Sequence, residues 1–297
     1  MNVRLVKGFS LAIIAGVFWG VSGSVGQFLF EKRAINVEWL ITVRMLTSGI
    51  CLLLFAKFGE KADLFSIWRN KKDAAQLAIF SITGMLAIQY TYFAAIKHSN
   101  AATATVLQYS GPIMIAVYLA FKNKRLPKPI ELLAIGLAAI GTFLLVTHGD
   151  IHSLTISRLA LFFGLASAVA LAIYTLQPIG LLSRYKSSVV IGWGMTAGGF
   201  VFSFVRAPWN VEGYWDFQTF LYTGVIIIFG TVTAFYFYLT AVKIIGGQRT
   251  SLLASSEPLA ATLLAVYWLD VPFLLVDWVG SLCIVSTVFL LSRGSRK

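Results

Sequence analysis

Apolar residues along this chain gather in blocks of about 20, the length an α-helix needs to cross the hydrocarbon layer of a bilayer. Ten blocks can be read: 8–30, 36–56, 74–96, 99–121, 130–147, 157–180, 187–205, 217–241, 248–269 and 272–292. Short polar breaks separate them, and several are basic, as at 122–128 and 184–186. The pattern predicts an all-α integral membrane protein with ten transmembrane helices and almost no chain outside the lipid bilayer. The first block is longer than a signal-peptide core and reads as the first span.

Composition strengthens this picture. Hydrophobic residues make up 58% of the 297 positions and charged residues 12%, with a mean hydropathy of +0.81. These values exclude an ordinary soluble domain. The net charge of +12 could suggest nucleic acid, but the placement of the 24 basic residues argues against it. With ten spans, eighteen of them fall on the side that holds both termini, five on the other side, and Arg44 inside a span. Basic residues collect in short cytoplasmic loops, so both termini are expected in the cytoplasm of a cell (inner) membrane protein. Cys51 and Cys283 both lie in apolar blocks. They suggest neither a disulfide framework nor a metal site.

Residues 84–120 and 230–266 can be superposed at a constant offset of 146 without a gap. The identities are Gly84/Gly230, Tyr90/Tyr236, Tyr92/Tyr238, Ala95/Ala241, Lys97/Lys243, Leu107/Leu253, Ser110/Ser256 and Pro112/Pro258. The chain therefore divides into two five-helix repeats, 8–147 and 157–292. Five is odd, so the second copy enters the membrane from the opposite face and the repeats are inverted. Transporters built this way bind substrate near the midplane and alternate access across it. Pro112 and Pro258 lie deep in spans four and nine, and each frees the carbonyl four residues earlier, at Gln108 and Ala254. Free carbonyls at that depth are tolerated beside protein or a water-filled cavity, so matched kinks point to a central cavity.

At these residues the chain resembles the EamA-type members of the drug/metabolite transporter superfamily. The resemblance rests on Phe18-Trp19-Gly20, on Arg44, and on the run from Ser99 through Thr103, Ala104 and Thr105 to Pro112. In the second half it rests on Gly246-Gly247 and Ser256-Glu257-Pro258. Asn100 to Leu107 and Phe143 to Gly149 are similar to uncharacterised bacterial inner-membrane EamA proteins. The resemblance implies ten helices in two inverted repeats around a central cavity, and transport, often export, of amino acids or other small metabolites. It also carries one departure: where the family often places a glutamate after span four, this chain reads Phe121-Lys122-Asn123-Lys124-Arg125.

A charge well inside a span costs on the order of 2.5–3.5 kcal/mol on insertion scales, so it faces protein or water. Arg44 and Glu257 are the two such residues, each counted near the midplane. They could pair with one another, or each could await a substrate group of opposite charge. Glu257 has Gly111 at the matching site and breaks the symmetry; a buried carboxylate suits a carrier whose coupling ion is a proton. Arg44 could hold a substrate carboxylate as a bidentate fork or anchor loop carbonyls.

The remaining substrate-binding candidates are Trp19, Gln89, Tyr92, Gln108, Tyr109, Tyr174, Gln177, Trp193 and Tyr238. For any one of the aromatic residues, plain packing competes with ligand contact. The amides of Gln89 and Gln108 are more telling, because an amide at membrane depth needs partners.

His148 and His152 with Asp150 could offer a weak metal site, but no fourth ligand is evident, and no metal or cofactor is expected. The expected activity is secondary transport of a small-molecule substrate, with export of amino acids or similar metabolites by alternating access. The alternative is export of a cationic drug or amine by Glu257 and an aromatic-lined cavity. An intramembrane enzyme would need a convergent acid, base or metal set that the sequence does not offer.

Overall fold

The computed structural model describes residues 3–99, 101–124, 126–153, 157–269 and 274–294. Asn100, Arg125, Arg296, Lys297 and the first two positions of the last predicted span lie outside them. Every regular element among the described residues is helical. In chain order the α-helices are α1 (Val3–Lys32), α2 (Val37–Leu54), α3 (Ser66–Arg69), α4 (Lys71–Ile79), α5 (Ala87–Lys97), α6 (Ala101–Gln108), α7 (Gly111–Asn123) and α8 (Pro129–Thr147). They continue as α9 (Arg158–Leu176), α10 (Ile179–Arg184), α11 (Ser187–Phe202), α12 (Phe217–Ile227), α13 (Ala234–Ile245), α14 (Gly247–Leu253), α15 (Ser256–Leu269) and α16 (Leu275–Gly294).

Among the described residues, seven helical stretches are long and apolar enough to cross a membrane: Val3–Lys32, Val37–Gly59, Lys71–Lys97, Thr103–Asn123, Pro129–Thr147, Arg158–Arg184 and Phe217–Ile245. Ser187–Phe202 and Leu275–Thr287 are apolar but shorter, and the predicted span 248–269 is divided between α14 and α15. The starts are written in the sequence. Asn36, Ser157 and Asp216 each cap a helix by accepting a backbone N–H, from Trp39, Ala160 and Thr219 respectively. Such caps satisfy donors that a helix start leaves unpaired.

The prolines break their helices rather than kink them. Span four is interrupted at Tyr109-Ser110, and Pro112 sits in the first turn of α7. Span nine is interrupted at Ala254-Ser255, and Pro258 sits in the first turn of α15. A proline in a first turn forfeits no intrahelical bond, because that N–H has no helical partner. π-helical turns also recur, at Phe80–Leu86 before α5 and Ile228–Thr233 before α13.

Packing repeats with the same offset. α2 packs on its counterpart α11, and α8 on its counterpart α16. α1 packs on α13, and α9 packs on α5 in the same way. Glycines permit the tightest crossings: a methyl group on Gly20 would overlap the Glu257 carbonyl oxygen of α15, and one on Gly141 would press against α16 at the Gly280 carbonyl.

Candidate functional site

The broken ends meet α1, α2, α5, α9 and α13 around a buried hollow. Its walls include Trp19, Arg44, Gln89, Tyr92, Gln108, Tyr109, Tyr238 and Glu257, with Phe93, Leu171 and Phe235 as apolar surface. Eight of the eleven residues expected from sequence are thus brought together, from both halves of the chain. The hollow holds about 50 Å³, room for only a few waters at roughly 15 Å³ each. Anything larger than a few waters could enter only if these helices separated.

Glu257 stands at the opening of α15 and is 5% exposed. The Tyr92 hydroxyl lies 3.3 Å from its Oε1 and 3.0 Å from Thr105 Oγ1. Tyr92 and Glu257 also line a second, larger space of about 290 Å³, reaching Gln27, Glu31, Lys32 and His148 at the C-terminal end of α1. The carboxylate and its tyrosine thus form the wall between an inner hollow and an outer vestibule. Tyr109 donates to the Ala254 carbonyl at 2.5 Å, the carbonyl that Pro258 leaves without its usual helical partner.

The opposite, basic end is tied shut by polar contacts between the halves. Arg184 grips Asp73 with Nη2–Oδ1 at 2.6 Å and Nε–Oδ2 at 3.2 Å, and Tyr185 donates to the same carboxylate at 2.7 Å. Gln76 and Gln177 exchange side-chain amide bonds to each other's backbone carbonyl at 3.0 and 2.8 Å. Glu60 accepts from Ser188 and, at 3.3 Å, from Tyr236.

Three expected residues lie elsewhere. Gln177 belongs to that polar tie, and the Trp193 indole donates to the Leu64 carbonyl at 2.8 Å near the same end. Tyr174 is fully buried one layer behind the hollow, stacked on Tyr238 and Phe80. Arg44 lines the hollow but makes no ion pair with Glu257 among the described residues. Its Nε donates to Thr231 Oγ1 at 3.0 Å and its Nη2 reaches the Gly230 carbonyl at 3.5 Å, both on the π turn Ile228–Thr233. Its guanidinium lies 4.8 Å from the Phe93 ring centroid.

Sequence reasoning passed over one pair. Asp277, fully buried in the first turn of α16, faces His148 Nδ1 at 2.9 Å and accepts the Leu274 amide at 2.7 Å. His148 is therefore part of the vestibule wall and not a freely solvated loop residue. The signal was an aspartate at the start of an apolar helix, which on its own reads as a helix cap.

Known proteins agree with this architecture. The EamA-like transporter family matches residues 6–147 and again 158–293. The uncharacterized inner membrane transporter YicL of Salmonella typhimurium is 40% identical over 291 residues, 98% of this chain and 97% of that protein. The uncharacterized transporter YetK of Bacillus subtilis is 24% identical across 91% of this chain and 82% of its own. A crystal structure 17% identical in sequence covers 100% of this chain and 98% of its own, with a TM-score of 0.78, and so shares the fold. The relatives are named as transporters, not enzymes, and this chain belongs to the EamA-like transporter family.

Proposed function

We propose that this protein is a secondary active transporter that exports amino acids or similarly small metabolites by alternating access through the central hollow. In this reading it has ten transmembrane helices in two inverted repeats, 8–147 and 157–292, with both termini in the cytoplasm. Support comes from two family matches with near-identical limits, breaks at equivalent places in spans four and nine, and mutual packing of helices 146 residues apart. The observation that carries the mechanism is the position of Glu257 between hollow and vestibule. A carboxylate there can take a proton from the vestibule and release it to water once the opposite side opens, when a substrate ammonium can take its place beside the carboxylate. Arg44 and Glu257 together offer one charge of each sign, which complements a zwitterion.

A cationic amine is the second reading, favoured by Trp19, Tyr92, Phe93 and Phe235 around one carboxylate while Arg44 is engaged elsewhere. Aromatic faces add about 0.5–2 kcal/mol for a cation. The test is flux in proteoliposomes carrying an imposed pH gradient, with amino acids and quaternary amines as probes. Glu257→Gln is expected to insert and fold but to lose gradient-driven flux. Undiminished flux in that variant would sink the coupling role.

A further inference from the structure

We propose that Gln89 is a specificity-determining residue of the hollow, selecting ligands with a neutral hydrogen-bonding group, a hydroxyl or carboxamide, over ligands of the same shape without one. This rests on the transporter reading above and names what its site prefers. Gln89 is 3% exposed and lines the hollow together with Glu257. Its Nε2 and Oε1 are both sealed from solvent with no hydrogen-bond partner among the described residues.

Several neighbouring polar groups are committed. Tyr92 is bound to Thr105 and Glu257, Tyr109 to the Ala254 carbonyl, Tyr238 to Thr175, and Arg44 to the π turn. An amide buried without partners pays the desolvation penalty of each open group in full. Volume alone does not call for it, because the position 146 residues on is Phe235, which lines the same hollow. A ligand offering an acceptor and a donor closes both groups at once. Sites holding such polar groups reject ligands that lack the complement far more strongly than an apolar pocket rejects a missing methylene.

The test uses the purified full chain in detergent and two pairs of similar shape: threonine with valine, and asparagine with leucine. Threonine and asparagine are expected to raise the melting temperature at concentrations at least about tenfold below those valine and leucine need. Gln89→Leu is expected to fold with a melting temperature at or above wild type and to respond alike within each pair. Gln89→Met serves the same purpose should the leucine not be accommodated. A wild-type response equal within each pair overturns the proposal and leaves the amino-acid reading standing, as does wild-type discrimination retained in both variants. Silence toward all four amino acids overturns the proposal and the amino-acid reading together.

Discussion

Tyr109 shows how a side-chain hydroxyl helps satisfy the break in a membrane helix, adding a second donor to the Ala254 carbonyl, which also accepts the Glu257 amide. Tyr109→Phe is expected to lower the melting temperature only slightly, because the Ala254 carbonyl keeps the Glu257 amide at 2.9 Å as a partner and the net worth of one lost hydrogen bond is about 0.5–1.5 kcal/mol, and to leave Glu257 in place. Arg44 tests whether an intramembrane charge serves recognition as well as position. Arg44→Met should lower stability and, on the zwitterion reading, weaken amino acids more than amines; an unchanged rank order would leave Arg44 an anchor of the π turn only. The charged pair Arg44 and Glu257 was legible in the sequence because a charge inside an apolar block stands out. Tyr174, Gln177 and Trp193 lie outside the lining of the hollow, and the sequence did not carry that, for a physical reason. A helix apolar on all sides carries no moment to say which face turns inward, so depth can be counted while direction cannot.

At the scale of the element, the paired prolines announced something special in spans four and nine. The sequence could not say whether that was a kink or a full break, since a proline suits either a bent interior or a first turn. Pro258→Ala would allow α14 and α15 to join, with the residue 258 amide drawing on the Ala254 carbonyl. The variant should be as stable as wild type but slow in transport, read as flux at unchanged melting temperature. Gly20 makes a complementary case: Gly20→Val should fail to accumulate in the membrane, because α15 has no room to retreat from α1. The π turns were not foreseen, as no residue type marks them, yet they fall at equivalent places and one of them seats Arg44.

On the scale of the whole molecule, the repeat at an offset of 146 was visible in eight identities and returns as a repeat of contacts. Membrane orientation can be read directly by impermeant maleimide. In a background lacking Cys51 and Cys283, Asp63→Cys should label only from the cytoplasm and Asn210→Cys only from outside, and the reverse pattern would invert the topology.

The loop end near Asn210 carries a clasp, in which Arg33 pairs with Asp216 at 3.2 Å. Hydrogen bonds from the Thr219 amide and hydroxyl, aided by Arg33, hold the Asp216 carboxyl below the usual aspartate range. Its stabilising effect is thus complete above the ordinary aspartate pKa and disappears as pH falls through the lowered value. Asp216→Asn should therefore cost melting temperature at neutral pH and nothing in strong acid.

The hollow also records where the halves parted. Glu257 faces its counterpart in Gly111, Gln89 in Phe235, and Arg44 in Val190. Two copies of the N-terminal half expressed as a homodimer would thus bring two arginines, two glutamines and no carboxylate to the centre. If Glu257 carries the proposed coupling, such a dimer is expected to rebuild the cage without it, so what the second half contributes is its divergence and not a second copy.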